Sequence, residues 1–195
     1  KRRLRKAVRA LTPTIREPPR VLELFSWSGT IGQVAREQGW SVLPTIDLLT
    51  GWDLLQQKCQ DQLISELPRW RPHLCVIAFP CTPWSRMQNM NRNNAAQEAR
   101  YQENLGKARR LLRFITKVIK LLVAEGCVVI LENPLTSKAW EEFGPRWNRL
   151  GLVSCVVDMC QFNKTTPEGV LLRKPTKLMG PLDVMEALAR RCEGG

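Results

Sequence analysis

The sequence predicts an α/β fold built on a mostly parallel, doubly wound sheet. Two observations carry this: short apolar runs of strand length alternate with helical stretches, and glycine turns punctuate the junctions. A length of 195 residues suits one domain, which at this size buries about 70% of the surface its unfolded chain exposes.

Residues 21–25 (VLELF) form a short apolar strand, 26–32 (SWSGTIG) a glycine turn, and 33–39 a helix ending on Gly39. Residues 41–47 (SVLPTID) read as a second strand ending on an acid, and 53–67 as a second helix. The unbroken apolar run in 73–80 (HLCVIAFP) marks a third strand. The polar, Asn-rich stretch 86–100 reads as a mobile loop. A long amphipathic helix is expected over 102–125. Its apolar face is Leu105, Ala108, Leu112, Ile115, Ile119 and Leu122, and Lys107, Arg110, Arg113, Lys117 and Lys120 lie largely on another. Gly126 closes it. Residues 127–134 (CVVILENP) are a fourth strand, 138–150 a short helix, 152–160 a fifth strand and 169–179 a sixth.

Three segments follow from this reading: a basic arm over 1–20, a catalytic domain over 21–180, and a helix or tail over 181–195. The arm carries eight Lys/Arg and three prolines. It suits either a solvated segment or a phosphate-contacting arm, with Leu4, Val8 and Leu11 able to form one face of a short helix.

With 30 Lys+Arg against 18 Asp+Glu, the net charge is +12 and the pI near 9.9. That excess points to an anionic partner, nucleic acid first and a membrane surface second. No apolar run approaches the roughly 20 residues that span a bilayer, so no membrane partner is expected. The chain opens on Lys1, where a removed leader would not be visible, and its basic first segment is not expected to act as a signal peptide. Seven cysteines without paired C-x-x-C spacing suggest neither a disulfide framework nor a metal site. They fit an intracellular, reducing compartment, nucleus or cytoplasm. A single histidine, His73, excludes any mechanism that needs two.

In a sheet of this class, ligands bind beyond the carboxyl ends of the strands, so chemistry is sought there. The turn at 26–32 lacks the full G-x-G-x-x-G spacing and favours a smaller nucleotide-like ligand over a dinucleotide. Asp47 stands where an acid accepts hydrogen bonds from ribose hydroxyls, although a helix N-cap would also explain it. Cys81, between Pro80 and Pro83 after the third strand, is a candidate nucleophile. The alternative is a small core residue. Glu132 leaves a fully apolar strand. Burying it uncompensated is costly, so it needs a partner or a task, and a raised pKa would make it a proton donor.

In this order, these sites resemble the cytosine carbon-5 DNA methyltransferase family over roughly 21–178. Residues 23–32 (ELFSWSGTIG) resemble its cofactor motif, which implies that Phe25, Ser26, Gly29 and Ile31 touch the cofactor S-adenosyl-L-methionine. Asp47 resembles the ribose acid, and Asp53 in Gly51-Trp52-Asp53 the acidic turn beside the adenine. Pro80-Cys81 with Ser85 resembles the Pro-Cys motif, with Pro80 near the cofactor, and Glu132-Asn133 resembles the Glu-Asn motif.

The resemblance implies a Rossmann-like, S-adenosylmethionine-dependent methyltransferase fold. The reaction it implies is methylation of cytosine carbon 5 through a covalent Cys81 adduct, with Glu132 protonating ring nitrogen 3 and Asn133 positioning the loop. Of the residues that could grip the base, Gln161 and Arg173 are the candidates. The implied partner is nucleic acid, DNA ahead of RNA, with target recognition supplied by a further domain or chain. Two other readings stay open: a non-catalytic nucleic-acid-binding or assembly module on this fold, and a different adenosylmethionine or nucleotide enzyme.

Overall fold

The structure, a computed structural model, describes residues 17–91 and 93–192. Six strands form one sheet: β1 (Arg20–Leu24), β2 (Ser41–Val42), β3 (Leu74–Ile77), β4 (Val128–Pro134), β5 (Val153–Asp158) and β6 (Pro175–Gly180). Their order is β2-β1-β3-β4-β6-β5. The first four are mutually parallel, whereas β6 runs antiparallel to both β4 and β5. Five helices intervene: α1 (Thr30–Glu37), α2 (Gln57–Trp70), α3 (Ala95–Ala124), α4 (Ala139–Asn148) and α5 (Leu182–Leu188).

Side-chain alternation along the strands decides which helices cover which face. Leu22, Leu24, Cys75, Ile77, Val129 and Leu131 share one apolar core with α2, α3 and α4. On the opposite face, Glu23 meets Gly32 of α1, and Gly180 meets Met185 of α5. The sheet is therefore α/β, mostly parallel, doubly wound and Rossmann-like. Its strand order reverses between β1 and β3, the crevice where such sheets bind ligands.

Several boundaries differ from expectation for identifiable reasons. The second strand covers two residues and not seven, because Pro44 has no N–H to donate. Pairing resumes past it, where Ile46 N donates to Glu23 O at 3.0 Å. The stretch expected as a loop over 86–100 is instead a 3-10 segment (Arg86–Asn91) followed by the start of α3. Asn94 caps that helix, its side chain accepting from Gln97 N at 2.9 Å, and Ala95, Ala96 and Ala99 are good helix formers. The apolar face expected for the long helix is fully buried.

The sixth strand opens only at Pro175. Residues before it form a small hairpin in which Leu172 N donates to Lys164 O at 2.7 Å. Arg20, the last residue of the expected arm, begins β1, and its N–H donates to His73 Nδ1 at 3.0 Å. The arm's first sixteen residues lie outside the described residues. At the other end, buried Asp158 accepts from Arg191 Nε at 3.0 Å and Cys192 N at 2.8 Å, which ties the segment after α5 to β5. Among the described residues no helix is long and apolar enough to cross a membrane.

Gly180 lies where β6 closely approaches both β4 and α5. A Cβ there would lie 2.9 Å from the Val129 carbonyl oxygen and 3.0 Å from Met185 Cε. The backbone oxygen cannot swing aside. Gly180→Ala is therefore expected to destabilise the protein by about 1–3 kcal/mol, read as a lower urea midpoint. An unchanged midpoint would mean that β6 shifts without cost.

Candidate active site

Hydrogen bonds between neighbouring strands bring three strand ends side by side. Ala78 N donates to Leu24 O at 3.1 Å, and Phe25 N to Ile46 O at 2.8 Å. The segments that begin at Phe25, Asp47 and Phe79 thus leave the sheet together. Phe25 turns the chain with φ of 61°, a left-handed conformation uncommon for a bulky side chain. Ser26 Oγ accepts from Gly29 N at 3.1 Å, and Gly29 itself has φ of 61°. Ile31 and Trp27 project outward, Trp27 being 82% exposed.

Beneath this turn lies Glu23, a residue the sequence reading passed over. It is 3% exposed. Its Oε1 accepts from Gly32 N at 2.8 Å, which holds the first turn of α1 against the sheet, while Oε2 is buried with no partner among the described residues. Gly32 is needed for this approach, because a Cβ would sit 3.1 Å from Val42 Cγ1. An acid inside an apolar strand was the available signal, the same one that singled out Glu132.

Asp47 Oδ1 accepts from Leu49 N at 2.9 Å, and Thr50 Oγ1 accepts from Asp47 N at 3.2 Å. The N-cap alternative is therefore present in the structure. The Asp47 side chain also closes a capping box with Thr50. Both oxygens of Asp53 serve its own turn, Oδ1 accepting from Leu55 N at 3.0 Å and Oδ2 from Gln56 Nε2 at 3.2 Å.

The loop after β3 is anchored on both sides of its cysteine. Phe79 is buried with its ring 5.6 Å from Trp140 and 5.7 Å from Trp147. Trp84 is buried against Phe143 at 5.8 Å, and its N–H donates to Cys81 O at 3.0 Å. Between these anchors Cys81 is exposed, alone among the seven cysteines. Access of this kind is one condition that a reactive thiol must meet. Burial pushes the thiols of Cys75 and Cys127 up, the latter to about 12.

One bond joins this loop to the end of β4. Asn133, 1% exposed, donates from Nδ2 to Phe79 O at 2.6 Å, and its Oδ1 is buried without a partner among the described residues. Glu132, next along β4, is half-buried. Burial raises its carboxyl pKa, and the charges of Lys174 and Lys164 partly oppose that rise. These two lysines, which the sequence reading did not select, are the cations whose field reaches Glu132. Arg173 is exposed and its charge acts on Asp158. Gln161 is exposed in the turn after β5.

A cleft of about 320 Å³ opens beside Pro80, lined by Leu55, Thr82, Tyr101, Asn104 and Lys107 among others. It sits between the Asp53 turn, the Pro-Cys loop and α3. Tyr101 and Asn104 lie on α3, which begins at Ala95 and not at the expected 102. Among the described residues no group of three or more His, Cys, Asp or Glu is placed to hold a metal ion.

No family model matches the chain, and no curated protein matches it. Among solved structures, a release factor-specific protein-(glutamine-N5) methyltransferase from Alicyclobacillus acidocaldarius is similar over 92% of this chain and 89% of that one. The identity is 17% and the TM-score 0.40. The site described above is read from its own geometry.

Proposed function

We propose that this protein is an S-adenosyl-L-methionine-dependent methyltransferase acting on carbon 5 of cytosine in DNA. The observation that carries the reading is the 2.6 Å bond from Asn133 to Phe79, which draws the segment bearing exposed Cys81 and the strand bearing Glu132 to one edge.

The residues present fit the methyl donor. Glu23 Oε2, without a partner among the described residues beneath the turn after β1, and the nearby Asp47 carboxylate supply acceptors for ammonium and hydroxyl groups. The cleft between Leu55, Pro80 and Tyr101 offers apolar walls for a base. When bound, the donor supplies an electrophilic methyl group at the carbon-5 position.

The chain's own residues do the rest. The Cys81 thiolate adds to cytosine carbon 6, forming a C–S bond and moving the ring electrons so that carbon 5 becomes nucleophilic. Protonated Glu132 donates to ring nitrogen 3, which neutralises the charge developing there. Asn133 holds the Pro-Cys segment in register. After carbon 5 has gained the methyl group, loss of its proton restores the double bond and expels the Cys81 thiolate. Because a paired cytosine is inaccessible, the base must leave the stack at a cost of a few kcal/mol.

Incubating the protein with the donor and a duplex containing 5-fluorocytosine tests this. Fluorine cannot leave as the carbon-5 proton does, so a denaturation-resistant protein–DNA complex is expected. Methyl transfer to ordinary cytosine without any trapped complex would overturn the covalent route.

A further inference from the structure

We propose that the outer face of α3 is a track for a nucleic-acid backbone. The inference rests on the nucleic-acid part of the function proposed above and not on methyl transfer.

Arg110, Arg113, Lys117 and Lys120 follow one another at spacings of three, four and three residues, which places them in one row along the helix. All four are exposed, and none has an ion pair or hydrogen bond from its side chain to another described residue. The neighbouring cations differ: Lys107 pairs with Glu103 at 2.6 Å, and Arg109 with Glu142 at 2.9 Å. Across residues 104–124 there are six Lys/Arg and no Asp/Glu.

A merely solvated helix face usually interleaves the two signs, because like charges three or four residues apart weaken the helix. This row carries that cost three times over, at 110/113, 113/117 and 117/120. It extends about 15 Å, which matches roughly four nucleotides of one strand at 3.4 Å each. It also continues from the candidate active site, since Lys107 lines the cleft beside Pro80.

A membrane surface fits less well. Interfacial helices insert an apolar face, whereas the apolar face of α3 is buried in the core.

The test compares two quadruple variants of the full chain that lose the same charge. One carries Arg110→Gln, Arg113→Gln, Lys117→Gln and Lys120→Gln. The control carries Arg36→Gln, Lys58→Gln, Arg71→Gln and Arg149→Gln, all at exposed positions. Duplex DNA binding is measured against salt without methyl donor, so the result is independent of turnover. The track variant should lower the log–log salt slope by up to about 3.6, or 0.9 per lost phosphate contact, with a native circular dichroism spectrum. The control should change it by less than one such contact. Equal losses in both variants would reduce the row to net charge and overturn the proposal, as would an unchanged slope. Loss of binding to phosphatidylserine vesicles with duplex binding intact would assign the row to membranes instead and overturn it as well.

Discussion

Cys81→Ala is expected to abolish methyl transfer, by at least about 10⁴-fold, while leaving the melting temperature and donor affinity close to wild type. A covalent nucleophile has no substitute in its own step, so its removal costs most of the chemistry. The fold should tolerate the change because the thiol is exposed. The loop is held by Phe79 and Trp84 through their aromatic neighbours, and the carbonyl of residue 81 still accepts from Trp84 N. Tritium transfer from labelled donor measures the first effect, and calorimetry the second. Residual transfer within tenfold of wild type would remove Cys81 from the mechanism.

Glu132→Ala should lower the rate by roughly 10²–10⁴-fold, the usual contribution of a positioned proton donor. The pH dependence is the sharper signature. Burial holds the Glu132 carboxyl above its ordinary value, so the protonated, donating form persists to higher pH than in a free glutamate. Transfer should fall as pH rises through that elevated value. Lys174→Ala removes a charge that opposes the elevation and should move the falling limb to higher pH. Stability follows the same sign. The folded state binds this proton more tightly than the unfolded chain, so Glu132 favours folding as pH drops through the window between its two pKa values. Above the folded value its buried charge opposes folding. A pH–rate profile that keeps its falling limb in Glu132→Gln would exclude this carboxyl as the group observed.

Much of the layout could be read from the chain because β1, β3 and β4 are apolar runs and glycines follow α1 and α3. Pro44 was visible in the sequence, yet its effect on β2 depends on which strand would have accepted the missing hydrogen bond. Asn94 looked like one more polar loop residue until its side chain is seen capping α3. Periodicity says that β6 exists and not that it enters antiparallel between β4 and β5. Register settled the remaining difference. Arg173 and Lys174 are adjacent and equally basic, but the field of Lys174 reaches Glu132 and that of Arg173 reaches Asp158. Glu23 and Glu132 both stood inside apolar strands. Only the second was selected, because the run 127–131 before it is wholly apolar, whereas Glu23 sits within the stretch 23–32 that reads as a cofactor turn.

The contact between Asn133 and Phe79 joins positions 54 apart in the chain, and the whole of α3 lies within the loop it closes. Closing so long a loop carries an entropic penalty that grows only slowly with its length. During synthesis, the sulfur-bearing segment emerges well before the strand that completes its surroundings. In the proposed mechanism, Cys81 therefore meets its completed surroundings only once β4 is paired beside β3.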